Sequence, residues 1–350
     1  MDHARPLVLA IETSCDDTAC AVVAGDGRVL ASSVSSQLAV HRPYGGVVPE
    51  IASREHLANW PAVAQAALAP LGLAPRDADL VAATRGPGLV GALLVGLALG
   101  KALAYALRRP FYGVHHLEGH LVSPFLADDG GPAAAVPERF VALVVSGGHT
   151  ALYEVEGGVV TTLAETRDDA MGEVFDKLGK RLGLPYPQGP LVDKLAEDGD
   201  RGAEPLPVPR VERELFFSYS GLKSAAIRRL EALERGGLTV DPEAPPREVR
   251  DLLAAFRAAA VAQLVDRLDR LHEARPFELL AVSGGVAANR LLRRELAAWA
   301  ARRGVDLRLV PLAYAGDNAA MIGFAALARH GRGEPADPWT VEAESRIPFG

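Results

Sequence analysis

The order of apolar and polar residues divides the chain into strand and helix segments joined by short glycine turns. Leu7 to Ile11 is an apolar run of strand length, Glu12 to Thr18 a polar turn, and Ala19 to Val23 a returning strand. Together they predict a hairpin with an acidic, hydroxyl-rich tip. The plan repeats at Phe140 to Val145, with Ser146 to Thr150 as the turn and Ala151 to Val155 as the return. Between these hairpins, Leu80 to Thr84 reads as a buried strand, Arg85-Gly86-Pro87-Gly88 as its turn, and Leu89 to Leu107 as a long helix of small apolar residues. A third glycine turn, Ser283 to Asn289, follows the strand Leu279 to Val282 and opens a helix to about Arg303. Its backbone N–H groups and the helix dipole suit an anion or a nucleotide. Val249, Leu252, Leu253, Phe256, Val261, Leu264, Leu268 and Leu271 recur at helical spacing, so Arg247 to His272 is an amphipathic helix facing a core. Two hairpin-led halves with strand-turn-helix crossovers indicate an α/β fold with an internal duplication.

Gly, Pro and charge concentrate at residues 128–139, 199–213 and 236–247, which predicts loops, the first of them a domain junction. The tail from Gly331 holds Gly333, Pro335 and Pro338 in quick succession and is expected to be loose.

At 350 residues the chain exceeds the size at which single cores stop growing, so two domains are expected. Its charge of 37 − 44 = −7 argues against a broad basic face for nucleic acid. The clusters Arg290, Arg293, Arg294 and Arg302, Arg303 read as solvated helix faces. Two cysteines, Cys15 and Cys20, are too few for a disulfide framework and fit a reducing, cytoplasmic setting. Leu89 to Leu107 is long enough for a bilayer. It carries Lys101, places Gly91, Gly96 and Gly100 on related faces and lacks flanking anchors, which favours a helix packed closely on a sheet over a membrane span.

The chemistry concentrates at His115-His116-Leu117-Glu118-Gly119-His120, where three of nine histidines fall within six residues. Imidazoles four apart project from one helix face and can close on one metal ion. Zinc peptidases place a glutamate directly after the first ligand. Here Leu117 fills that slot and Glu118 is rotated roughly 200° from His116, so a peptidase base is missing.

IETSCDDT (11–18), GGVVPEIASR (45–54), GPGLVGALLV (86–95), HHLEGH (115–120), VSGGHT (145–150), FSYSGLK (217–223) and SGGVAANR (283–290) resemble, in order, the tRNA threonylcarbamoyladenosine transferase family over residues 7 to 330. The resemblance implies two duplicated actin-like domains, similar to sugar kinases and heat-shock ATPases, around a central cleft. Residues 1–115 plus about 318–350 would form the first, and 116–317 the second with helical insertions. It implies one divalent ion, Fe2+ with Zn2+ as the alternative, on His116, His120 and Asp317, against the other reading of Asp317 as a helix N-cap. It places the donor on Val144, Val145, Ser146, Gly147 and Gly148, with Asp176, Gly189, Asp193 and Asn289 around it. No general base is singled out; the metal as Lewis acid and Glu12 are the candidates for catalysis. Gln188 stands where the family commonly has glycine, and would be strained if that position needs a positive φ.

The implied activity is transfer of threonylcarbamoyl from threonylcarbamoyl-adenylate to N6 of the adenosine 3′ of the anticodon, in tRNAs reading codons that begin with A. The implied partners are a shorter paralogue of the same fold and a small P-loop ATPase, with no membrane. An ATPase or kinase on the same fold, or a non-enzymatic scaffold of a tRNA-modifying complex, are the alternatives.

Overall fold

The computed structural model describes residues 5–208 and 214–349; positions 209–213 of the expected 199–213 loop lie outside the described residues. The chain forms two units, Met1–Pro137 with Val310–Phe349, and Glu138–Leu309. In chain order the first contributes β1 (Val8–Glu12), β2 (Asp17–Val23), β3 (Val29–Ser36), α1 (Leu38–His41) and α2 (Pro49–Leu68). It continues with β4 (Leu80–Gly86), α3 (Val90–Leu107), β5 (Phe111–His115) and α4 (His116–Val122). The second contributes β6 (Arg139–Val145), β7 (Thr150–Glu156), β8 (Val159–Glu165), α5 (Met171–Arg181) and α6 (Gln188–Ala196). After α7 (Ser220–Arg235) and α8 (Arg247–Ala274) come β9 (Leu279–Ser283), α9 (Arg290–Arg303) and β10 (Asp306–Leu309). Helix α10 (Ala319–Gly331) then returns the chain to the first unit.

The duplication is visible in strand order. The first sheet runs β3-β2-β1-β4-β5 and the second β8-β7-β6-β9-β10, each an antiparallel meander with two parallel strands added beside its first strand. Strands β1 and β5 are buried along their whole length, as expected where both faces are covered, whereas β3 alternates with solvent at the edge.

The domain boundaries differ from the expected 115/116 and 317/318. Helix α4 follows β5 without a loop and packs on α10, where a Cβ on Gly119 would come within 3.0 Å of Ile322 and Met321. Both histidines and Asp317 therefore belong to the first unit.

Helix α3 is long and apolar enough to cross a bilayer by length and composition. Its glycines do what their spacing predicts on one face: a Cβ on Gly100 would meet the Phe111 ring at 2.9 Å, and one on Gly96 would meet Thr13 Oγ1 at 2.3 Å. Only one face is packed, however, and Val90, Leu94 and Tyr105 remain exposed. The tail also departs from expectation. Asp337 N donates to Phe111 O, its carboxylate accepts from Gly113 N at 2.8 Å, and Val341 is buried among Ile11, Val81 and Phe111. The breakers prevent a helix but not an extended segment held by backbone hydrogen bonds.

Candidate functional site

The parallel pairing of β1 with β4 and of β4 with β5 brings three strand ends together, and the residues just past them build the site. β5 delivers the chain straight into α4, whose Leu117 N donates to His115 Nδ1 as an N-cap. One turn of helix then presents His116 and His120 side by side, ring centroids 4.8 Å apart and perpendicular.

Asp317 arrives from the other end of the chain. It is not the N-cap of α10; Asn318 holds that place, its Oδ1 accepting from Met321 N at 2.9 Å. The Asp317 carboxylate is left to face the histidines, with Oδ1 3.4 Å from Nε2 of each. A tetrahedral ion with bonds of ~2.1 Å spans edges of roughly 3.4 Å, so these separations fit a divalent metal. Among the described residues this is the one group of three potential ligands, with all ligand atoms within 4.8 Å.

His120 supplies the sharpest sign. It is fully buried, and neither ring nitrogen makes a hydrogen bond, although Nε2 lies near Asp317. Buried polar atoms are seldom left so. Burial holds its pKa below the ordinary imidazole value, against the raising influence of Asp317. It is thus a neutral imidazole with a lone pair to give. His116 goes the other way: burial works to lower it, but Asp317 and Glu12 together hold it well above the ordinary value. Asp317 is pushed up by desolvation and pulled further down by His116 and His120. The two shifts run in the directions expected of an imidazolium facing a carboxylate across 3.4 Å.

Glu12, the candidate catalytic carboxylate, is 1% exposed and turned inward. Oε1 accepts from Ser14 N; Oε2 accepts from Thr84 Oγ1 and lies 3.3 Å from His116 Nδ1. Burial tends to raise its pKa, but His116 and the Ser14 hydrogen bond bring it below the usual value. A carboxylate holding Nδ1–H leaves Nε2 as the ligand atom, the arrangement of a carboxylate–histidine–metal relay. Glu12 therefore orients His116. Glu118 faces elsewhere, with Arg332 Nη2 at 3.9 Å, and burial raises it to about 7 despite Arg329 and Arg332.

The other predicted residues lie in the second unit. A cavity of about 320 Å³ is lined by Gly147, Asp176, Gly189, Asp193 and Asn289 together with Phe175, Pro190 and Val286. Cβ atoms on Gly147 or Gly285 would meet nothing within 4 Å, so the two glycine turns face open space. Val144 and Val145 are buried in β6, Ser146 Oγ accepts from His149 N within the turn, and neither these three nor Gly148 line the cavity. Asp176 accepts from Gly189 N at 2.7 Å and so caps α6 from α5. Asp193 accepts from Asn289 Nδ2 at 2.5 Å and pairs with Arg257 at 3.0 Å; Asn289 Oδ1 caps α9 through Leu292 N. A larger groove, about 660 Å³, runs along α8, but its Asp269, Asp266 and Glu295 are already in ion pairs, so size does not select it.

Gln188 is not strained: it opens α6, and Arg108 is the one non-glycine with positive φ among the described residues. Sequence reasoning missed Thr84, Arg257 and the buried relay around His56, where Thr18 Oγ1 lies 2.7 Å from Nδ1 and Nε2 lies 3.0 Å from Cys15 O. The register of β1 on β4, Ile11 opposite Ala83, is the signal that places Thr84 beside Glu12. The FSYSGLK segment is a cap, with Asp168 accepting from Ser218 Oγ, Tyr219 N and Ser220 Oγ at the start of α7.

The family model described as tRNA N6-adenosine threonylcarbamoyltransferase (TsaD) matches residues 28–324. Proteins of that name from Sorangium cellulosum, Pelobacter propionicus and Thermus thermophilus are 47%, 50% and 46% identical. The matches cover 93%, 90% and 98% of this chain and 92%, 90% and 98% of those proteins. Among solved structures, HypF of T. kodakarensis aligns with a TM-score of 0.58 at 15% identity, over 95% of this chain and 49% of its own. The (R)-2-hydroxyglutaryl-CoA dehydratase component A of Acidaminococcus fermentans aligns with a TM-score of 0.51 at 15% identity, over 93% of this chain and 100% of its own. At such identity these two speak for the actin-like fold alone. With the motif order, the fold and the matches over nearly the full length in agreement, the chain belongs to the tRNA N6-adenosine threonylcarbamoyltransferase family.

Proposed function

We propose that this protein transfers a threonylcarbamoyl group from threonylcarbamoyl-adenylate to N6 of the adenosine 3′ of the anticodon, in tRNAs reading codons that begin with A. The carbonyl carbon parts from the phosphate oxygen of AMP and bonds to N6, which gives up a proton; modified tRNA, AMP and a proton are the products. The observation that carries the reading is the His116–His120–Asp317 cluster with its unpartnered buried imidazole, in a chain of this family. A scaffold would not need it, and a kinase of this fold would favour oxygen ligands for Mg2+.

His116, His120 and Asp317 would hold Fe2+, or Zn2+ in its place, and a divalent ion supplies Lewis-acid polarisation of a carbonyl. Glu12 keeps the proton of His116 on Nδ1. In the second unit, backbone N–H groups of the glycine turns at Gly147 and Gly285 suit the adenylate phosphate, with Asp193 and Asn289 near its sugar or base. A net charge of −7 leaves little basic surface for tRNA. A shorter paralogue and a small P-loop ATPase would complete it, in the cytoplasm. The exposed apolar face of α3 with Leu57 of α2 suits helix docking by that paralogue.

The test is reconstitution with metal, donor, tRNA and the two partners, read by mass spectrometry of released nucleosides. His120→Ala and Asp317→Ala should lose bound metal and product together. Full product from either variant would overturn the reading.

A further inference from the structure

The segment from Asp337 to Phe349 is held along its length by groups that lead to the histidine helix. Lys101 Nζ donates to Val341 O at 2.8 Å, Glu344 N donates to Arg85 O at 2.9 Å, and Gly88 N donates to Ser345 O at 3.4 Å. The last two contacts seat the segment on the Arg85-Gly86-Pro87-Gly88 turn. A Cβ on Gly86, at φ 150°, would lie 2.1 Å from Glu344 O, and one on Gly88, at φ 159°, would lie 2.4 Å from Ser14 O. The turn is thus closely packed between the tail and the tip of the first hairpin, and glycine is required on both sides.

From there the tail reaches His115. The Phe349 ring stacks on this imidazole, centroids 4.2 Å apart and planes within 14°, and Ile347 O lies 3.5 Å from His115 Nε2. His115 Nδ1 accepts from Leu117 N, so the stacked ring is the one that caps α4. Two routes therefore converge on His116. One runs from Phe349 through His115 into the first turn of α4. The other runs from Glu344 and Ser345 through the glycine turn to Ser14, whose O accepts from Leu89 N and whose Oγ lies 3.3 Å from His116 Nδ1.

We propose that residues 337–349 form a strap that fixes the His115–His116 junction, with Phe349 and Glu344 as positioning residues for the metal-binding helix. The inference rests on His116 being a ligand only for its functional meaning; the mechanical coupling can be read without metal.

The experiment compares wild type with Phe349→Leu, Phe349→Tyr and Glu344→Pro in the full chain. Amide hydrogen exchange in metal-free protein reports the coupling, and Zn2+ competition with a chelator reports its use. Loss of the ring stack should speed exchange at Leu117 roughly three- to tenfold. Amides of β1 and β4 should stay as in wild type. Zn2+ affinity should fall about tenfold, within the range for outer-shell changes. Phe349→Tyr should restore both, and Glu344→Pro, which removes the donor to Arg85, should reproduce the loss. Unchanged Leu117 exchange in both Phe349→Leu and Glu344→Pro would overturn the strap, as would a rise shared equally by β1 and β4. If wild type takes up no Zn2+, the metal reading fails by itself, while the exchange comparison still decides the strap.

Discussion

Replacing Glu12 by Gln distinguishes an orienting carboxylate from a catalytic one. The side chain is 1% exposed and faces donors on both oxygens, Ser14 N–H on one and Thr84 Oγ1–H with His116 Nδ1–H on the other. An amide keeps one acceptor and gains a donor. In one orientation its NH2 confronts His116 Nδ1–H, and in the flipped one it confronts Ser14 N–H. The threonine hydroxyl can rotate to accept; a backbone N–H cannot. A charge-assisted hydrogen bond of about 1.5 to 3 kcal/mol is lost in either case. Zn2+ affinity, measured by chelator competition, should fall roughly 10- to 100-fold. Because Glu12 is one of the two carboxylates that raise His116, the imidazole ¹⁵N shifts of metal-free Glu12→Gln should show His116 titrating at lower pH than in wild type. Unchanged affinity and titration alongside lost transfer would refute the reasoning and make Glu12 a group that acts on substrate.

Asp17 Oδ1 is buried without a hydrogen-bond partner, and burial, opposed by a Ser36 hydrogen bond, raises the carboxyl from 3.8 to about 6. A raised acid favours the folded state while protonated, so stability should fall as pH rises from about 4 through 6. Asp17→Asn should gain up to about 3 kcal/mol at pH 8 and almost nothing at pH 4, by urea unfolding; equal gains at both would refute this. Gly96→Ala drives a Cβ against Thr13, which is fixed by donating to Ala92 O. Overpacking of about 1 to 3 kcal/mol against a helix-propensity gain of about 1 should lower the melting temperature by a few degrees, whereas a higher one would show that the helix shifts freely. Asn289→Ala removes both the α9 cap and the contact to Asp193, so calorimetry should show donor binding weakened about 5- to 200-fold with a stability loss near 1 kcal/mol; unchanged donor affinity would misplace the pocket.

Elements written in local pattern were legible: both hairpins, the strand-turn-helix units and α8 fall near their expected positions because strand and helix periods differ. The i, i+4 spacing also showed that His116 and His120 share a face. Asp317 was not derivable locally, since its approach depends on α10 returning to the first unit, and the resemblance supplied it. The role of Glu12 needed the β1–β4 register, which brings Thr84 and His116 against it. For the tail, Gly and Pro correctly excluded helix but said nothing of a path held by backbone groups, and a stacked ring on His115 leaves no mark in composition. Gln188 failed as a warning because position 188 is the helical start of α6 rather than a left-handed turn.

The return of α10 has a consequence for biosynthesis. Asp317 stands 197 residues after His120 (317 − 120), and the whole second sheet is made between them. During translation the two imidazoles emerge first and wait, one carboxylate short, until the second sheet has been made. An ion held by all three would close a ring of almost two hundred residues, at an entropic cost that grows only with the logarithm of its length. Any product ending before residue 317 would therefore carry the two histidines without the carboxylate that completes the three-ligand cluster.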